Sequence, residues 1–128
     1  MPSDIKRVEV SVLVVDDDEQ IRKCMPRLFH KLPVHLRCAR DAADALAQVE
    51  AEPPDLLISD LHMPPGMDGL TLIEQVRARW PKVRAVLSTS DGQALARAEA
   101  LGIRAMLKLD AGQAFPALVS EVLAQKQP

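Results

Sequence analysis

A chain of 128 residues, 48% hydrophobic and 27% charged with a formal net charge of −2, suits one compact unit that buries a core without disulfides or a structural metal. Near-balanced charge argues against a general nucleic-acid binder, which needs a concentrated basic face; the nearest approach to one, Arg77, Arg79, Lys82 and Arg84, reads as a solvated helix end and loop. No apolar run approaches the roughly 18–20 residues that span a membrane, and the opening MPSDIKRVEV lacks the order of a signal peptide, so a cytoplasmic protein without membrane contact is expected.

Short β-rich runs alternate with longer segments of helical period. Val8 to Val15 is dense in Val and Leu, as in a strand buried on both faces. Ile21, Met25, Leu28, Phe29 and Leu32 then recur at helical spacing, with Pro26 inside, where a missing backbone donor favours a kink. Val34 to Ala39 reads as a second strand, and Ala42, Ala45, Leu46 and Val49 mark one face of a second helix that Pro53-Pro54 stops. Leu56 to Ser59 is a third strand. The loop HMPPGMDG leads into a helix carrying Leu72, Ile73, Val76 and Trp80, ended by Pro81. Ala85 to Ser88 is a fourth strand, Asp91 to Leu101 a fourth helix with Gly102 at its C-terminal cap, and Ala105 to Leu107 a fifth strand. Phe115, Leu118, Val119, Val122 and Leu123 form the stripe of a last helix. Five strands alternating with five helices give an open α/β sandwich on a parallel sheet, expected as a single domain over residues 1–128. Cys24 and Cys38 have no metal-ligand spacing and sit in apolar stretches, so both read as small core residues.

Ligands of such sheets bind outside the C-terminal strand ends. Those ends carry Asp16, Asp17 and Asp18 after the first strand, Asp60 after the third, Ser88-Thr89-Ser90 after the fourth and Lys108 after the fifth. Asp16, Asp17 and Asp60 together form an oxygen donor set suited to Mg²⁺, and their mutual repulsion favours taking up a cation. A carboxylate also serves as a nucleophile toward phosphorus. That reaction joins two anions, so it needs a metal and a second positive charge, which Lys108 supplies, while Thr89 offers a hydroxyl to a phosphoryl oxygen.

VLVVDDDEQIR, ARDAADAL, PDLLISDLHMPPGMDGL, AVLSTSDG and AMLKLD, in this order and on these elements, resemble the receiver domains of two-component signalling over essentially the whole chain. The resemblance implies a CheY-like, flavodoxin-like fold: a doubly wound (βα)5 five-stranded parallel sheet with helices on both faces. It implies that Asp60 is the phosphoacceptor, that Asp17 and Asp16 hold Mg²⁺ with Asp60 and the backbone carbonyl of His62, and that Thr89 and Lys108 contact the phosphoryl group. The partner it implies is a histidine kinase or histidine phosphotransfer protein, with a downstream target or a second copy on the fourth and fifth helices. The signalling module it implies turns over no external substrate. Asp18 reads instead as the cap of the first helix, and the His62 imidazole as a rim group rather than a metal ligand. His30 and His35 read as surface or boundary residues.

Four features depart from the family. The loop after Asp60 carries one extra residue. Leu109 replaces the proline that commonly follows the lysine, and a trans peptide is expected there, because a non-proline cis bond costs roughly 2.5–4 kcal/mol. Ala105 stands where many relatives have an aromatic switch residue, so readout through the fourth helix and its preceding loop is the expectation. Asp91, two residues after Thr89, either borders the acyl phosphate or caps the fourth helix. Within the family the alternative is a phosphorylation-independent receiver. Outside it stand a small aspartyl-nucleophile phosphotransferase, which would want an acid where His62 lies, and a flavodoxin-type cofactor binder, whose phosphate loop Asp16, Asp17 and Asp18 would repel.

Overall fold

The computed structural model describes residues 9–126. Its elements run β1 (Val10–Val15), α1 (Glu19–Leu28), β2 (Val34–Ala39), α2 (Ala42–Ala51), β3 (Leu56–Ser59), α3 (Gly69–Arg79), β4 (Arg84–Thr89), α4 (Gly92–Ala100), β5 (Arg104–Leu107) and α5 (Ala111–Lys126), with a 3₁₀ turn, Lys108–Asp110, between the last two. The sheet is wholly parallel in the order β2-β1-β3-β4-β5, the doubly wound architecture that the sequence implies.

Alternation along each strand divides the core into two layers. Leu13, Val15, Leu57 and Leu87 point toward α2, α3 and α4, where Val49, Ile73 and Ala98 meet them. Val12, Val14, Ile58 and Val86 point the other way, onto Phe29 at the C-terminal cap of α1 and Phe115, Leu118 and Val122 of α5. The Phe29 and Phe115 rings stack at 5.0 Å between centroids. Removing a fully buried Leu such as Leu57 or Leu118 costs about 2–5 kcal/mol in transfer and cavity terms.

Asp18, Asp41, Asp68 and Asp91 each cap the helix that follows, their side-chain oxygens accepting backbone N–H bonds from Gln20, Asp44, Thr71 and Gln93. Pro26 stays within α1. Gly102, at φ +70, turns the chain out of α4. The only cis peptide among the described residues is Pro64-Pro65, so Leu109 follows Lys108 through a trans bond.

Several boundaries differ from the sequence reading. Val8 lies outside the described residues, and β1 begins at Val10. β4 reaches Arg84 and Thr89 because the ladders to Leu56 and Leu107 extend past the apolar run. Leu32 lies beyond α1, yet it still packs on the α1–α5 core layer. Cys24 is not a core residue. It is exposed, because it flanks the inward stripe of α1 and Met25, one position on, takes the buried place. Cys38 is half-buried on the edge strand β2, and burial pushes its thiol pKa up despite the nearby Arg22 charge. His30 and His35 are exposed. In the basic group, Arg77 donates to the carbonyls of Leu101 and Gly102, and Arg79 stacks on Trp80 at 4.3 Å.

Candidate functional site

The strand order reverses between β1 and β3, the switch point where a doubly wound sheet opens a crevice. Register does the placing. Val15 pairs with Ser59, so Asp16 and Asp60, the next residue on each strand, emerge side by side. Thr89 pairs with Leu107, so Lys108 leaves β5 just beyond it. Backbone N–H groups of Asp16 and Asp60 continue the ladders, donating to Ala39 and Val15 carbonyls at 3.0 and 2.8 Å.

Carboxylate oxygens of Asp16, Asp17 and Asp60 all lie within 4.8 Å of one another. Asp16 is buried, Asp60 half-buried and Asp17 exposed. Three carboxylates so close, one open to solvent, fit a hard divalent cation that keeps part of its water shell. The Lys108 ammonium spans two of them, 2.9 Å from Asp16 Oδ2 and 3.2 Å from Asp60 Oδ1. Asp60 Oδ1 also accepts the Leu61 N–H at 2.8 Å.

Burial and the neighbouring Asp16 charge hold the Asp60 carboxyl above the usual carboxylate range, although Lys108 and the Leu61 N–H pull the other way. Burial alone would lower the Lys108 ammonium; hydrogen bonds and charge from Asp16 and Asp60 outweigh it, and its pKa is raised. The Asp60 shift thus comes first from burial and then from Asp16, and the Lys108 shift from the two carboxylates it faces.

Of the remaining residues singled out in the sequence, Thr89, Asp91 and His62 come together, whereas Ala105 and Leu109 do not join them. Thr89 is buried, and its Oγ1 accepts the Asp91 N–H at 3.1 Å, which leaves its proton free to donate. Asp91 caps α4 through Oδ1 and places Oδ2 4.0 Å from His62 Nε2. The His62 imidazole is 72% exposed and stands outside the carboxylate cluster. Ala105 is partly buried against the α2–α4 layer, and Leu109 projects into solvent.

Three supporting residues escaped sequence reasoning. Arg22 donates from Nη1 to the Asp16 carbonyl at 2.7 Å. Ser59 donates its hydroxyl to the Asp60 carbonyl at 2.8 Å. Gly69 packs against that same carbonyl, where a β-carbon would lie 1.9 Å from the oxygen. The signals for Ser59 and Gly69 were their places beside Asp60 and at the end of the loop after it, but contact with a backbone atom leaves no pattern in side-chain chemistry.

The DNA-binding transcriptional regulator NtrC of Escherichia coli (strain K12) is 35% identical over 79 residues, which are 62% of this chain and 17% of that regulator. The chain thus matches a small part of the curated relative. Among solved structures, the signal receiver domain of an HD domain-containing protein from Pseudomonas fluorescens Pf-5 superimposes with a TM-score of 0.81 at 30% identity, covering 94% of this chain and 90% of that one. A CheY-like receiver domain protein from Methanospirillum hungatei JF-1 shares the fold at a TM-score of 0.79 and 21% identity, over 92% and 96% of the two chains. The family description "Response regulator receiver domain" matches residues 12–120. With that match over most of its length, and with an acidic cluster at the switch point of its sheet, the chain belongs to the response regulator receiver domain family.

Proposed function

We propose that residues 1–128 act as one phosphoacceptor receiver unit, which takes a phosphoryl group from a phosphohistidine onto Asp60. The observation that carries the proposal is the bridging of Asp16 and Asp60 by Lys108 inside the three-carboxylate cluster. Asp60 Oδ1 is engaged by Leu61 N–H and faced by Lys108; Oδ2, which carries no hydrogen bond among the described residues, is the oxygen left to attack phosphorus. The new O–P bond forms as the P–N bond to the donor imidazole breaks, and the imidazole leaves with the electron pair and takes up a proton.

Asp16, Asp17 and Asp60, with the backbone carbonyl of His62, would hold Mg²⁺, which would supply positive charge to the phosphoryl oxygens. Lys108 turns its ammonium from Asp16 toward a phosphoryl oxygen. The Thr89 proton, free because Oγ1 is used as an acceptor, donates to another.

The donor is a histidine kinase or a histidine phosphotransfer protein, and the setting is cytoplasmic; no helix of the described residues is long and apolar enough to cross a membrane. Self-phosphorylation and hydrolysis are its only chemistry, and its output is protein contact, with a target or a second copy on α4 and α5, and not direct nucleic-acid binding.

The test is intact mass after incubation with Mg²⁺ and acetyl phosphate, beside Asp60→Asn and a chelator control. A phosphoryl adduct that needs Mg²⁺ and Asp60 is expected. No adduct with acetyl phosphate or a panel of kinases would replace this reading with a receiver that signals through its fixed shape.

A further inference from the structure

Val86 and Ser88 of β4 fall on the face of the sheet that α1 and α5 cover, since residues two apart on a strand share a face. Register agrees: Ser88 pairs with Met106, which packs in that same layer. Around Ser88 the layer is apolar, with Val14, Ile58 and Phe115. Ser88 brings a hydroxyl into it. The residue is 7% exposed, and its Oγ makes no hydrogen bond with any group of the described residues. A buried hydroxyl without a partner is costly, and most such groups in folded chains have one.

Ser88 lines a cavity of about 100 Å³ between α1 and α5. Ile21, Met25 and Leu28 of α1, Ile58 of β3 and Phe115 of α5 give it apolar walls. Cys24 lines it too and is exposed, which marks where it meets solvent. At one end stand Asp16, Asp60 and Lys108, and there the two carboxylates already engage the ammonium, at 2.9 and 3.2 Å. That end disfavours an ionised guest. An anion meets two carboxylates, a cation meets Lys108, and either loses its hydration among apolar walls. Close-packed interiors keep few such voids, and an apolar one of roughly 150 Å³ admits benzene. This cavity is smaller but open on one side, and the unbranched Met25 lets its wall yield. A guest that fits is neutral, has one ring or a short chain, and carries one polar group for Ser88.

We propose that the α1–α5 cavity is a binding site for a small neutral alcohol, a phenol-sized molecule whose apolar body lies against Met25 and Phe115 and whose hydroxyl bonds to Ser88 Oγ. An alcohol suits Ser88 in either direction, because each hydroxyl both donates and accepts. Binding gains from two sources. The ring leaves water and contacts the walls, and a hydroxyl that the protein leaves alone acquires a partner. The site needs neither Mg²⁺ nor a phosphoryl group.

The probe is phenol, neutral at pH 7 as the tyrosine hydroxyl is, beside benzene and benzoate. The chain holds five methionines; of those described, only Met25 lines the cavity, while Met63 packs in the opposite core layer. Titrating phenol into the chain with ¹³C-labelled methionine methyls should move the Met25 resonance saturably and leave Met63 in place. Benzene should move it too, and benzoate should not. Ser88→Val keeps the shape and suits a strand but removes the hydroxyl. It should weaken phenol about threefold to tenfold, the loss of one net hydrogen bond, and leave benzene unchanged or tighter. Met63 and Met106 resonances in their native places show that the variant is folded, and Ser88→Ala makes the same test where valine crowds the strand. A Met25 shift that is absent with phenol, shared by Met63, or set by protein concentration instead of phenol would overturn the site. Equal losses for phenol and benzene on removal of the hydroxyl would overturn it as well, as would binding of benzoate.

Discussion

A β-carbon on Gly69 would stand 1.9 Å from the carbonyl oxygen of Asp60, far inside van der Waals contact, so the first residue of α3 is glycine because the backbone of Asp60 occupies the space. The Gly69 N–H donates to Leu61 at 2.8 Å, which closes the loop after β3 tightly enough to force that approach. Gly69→Ala is expected to destabilise the fold by about 1–3 kcal/mol, the cost of overpacking a closed site, and to displace Asp60. Gly112→Ala is the control. Nothing lies within 4 Å of its β-carbon position and it sits in the first turn of α5, so it should stabilise by about 0.5–1 kcal/mol. Urea unfolding of both variants decides the matter, and equal effects would remove the steric argument.

What the sequence revealed and what it concealed follow one physical line. Asp16, Asp60, Thr89 and Lys108 were legible because parallel strands end in polar residues at one edge, and an apolar run marks each end. Asp18 was legible as a cap because an acidic residue opening a helical pattern has one common use. Arg22, Ser59 and Gly69 were hidden, since each touches a main-chain carbonyl and only the folded path shows which. Cys24 was misplaced because apolar neighbours do not reveal which side of a helical stripe a residue takes. Arg84 was left out of β4 because a charge ended the apolar run, although the strand continues and Glu121 receives its side chain at 3.0 Å.

Lys108 neutralises a buried carboxylate and competes with a cation for it. Replacing it by Met leaves Asp16, only 3% exposed, without its partner at 2.9 Å. The expected loss is about 1–3 kcal/mol of stability, the range for stranding a buried polar group. The same variant should bind a divalent cation several-fold more tightly, because a positive charge has left the three-carboxylate cluster. Calorimetric titration with Mg²⁺ measures this, and weaker binding would mean that Lys108 organises the carboxylates rather than repelling the ion.

Glu121 on α5 joins two strands at the far side of the sheet. Arg104 grips it with both guanidinium nitrogens at 2.8 and 3.0 Å, and Arg84 reaches it at 3.0 Å. The Arg104 hydrogen bonds, followed by the charges of both arginines, hold its carboxyl below the usual value. A depressed folded pKa means that stability is present above the unfolded value, about 4.3, and is lost as pH falls through the folded one. Glu121→Gln should therefore flatten the urea midpoint below about pH 4.3 relative to the native chain. Salt should shrink the difference, since the group is partly exposed and screened. An unchanged acid limb would show that the fork contributes geometry without stability.

Asp60 has the opposite sign. Burial and Asp16 raise its folded pKa above the unfolded value, so its contribution to stability is full below about pH 3.9 and lost as pH rises through the folded pKa. At neutral pH the ionised carboxylate strains the fold that presents it. Asp60→Asn should accordingly raise Tm by a few degrees in chelator at pH 7, and the gain should vanish near pH 3. Mg²⁺ should raise Tm of the native chain, because a cation that binds only the folded cluster stabilises by mass action, and should do so much less in the variant, which lacks one of the three carboxylates. Thermal melts at the two pH values, with and without the metal, separate these effects. A variant less stable than the native chain at pH 7 would mean that the Lys108 contact at 3.2 Å outweighs the repulsion from Asp16.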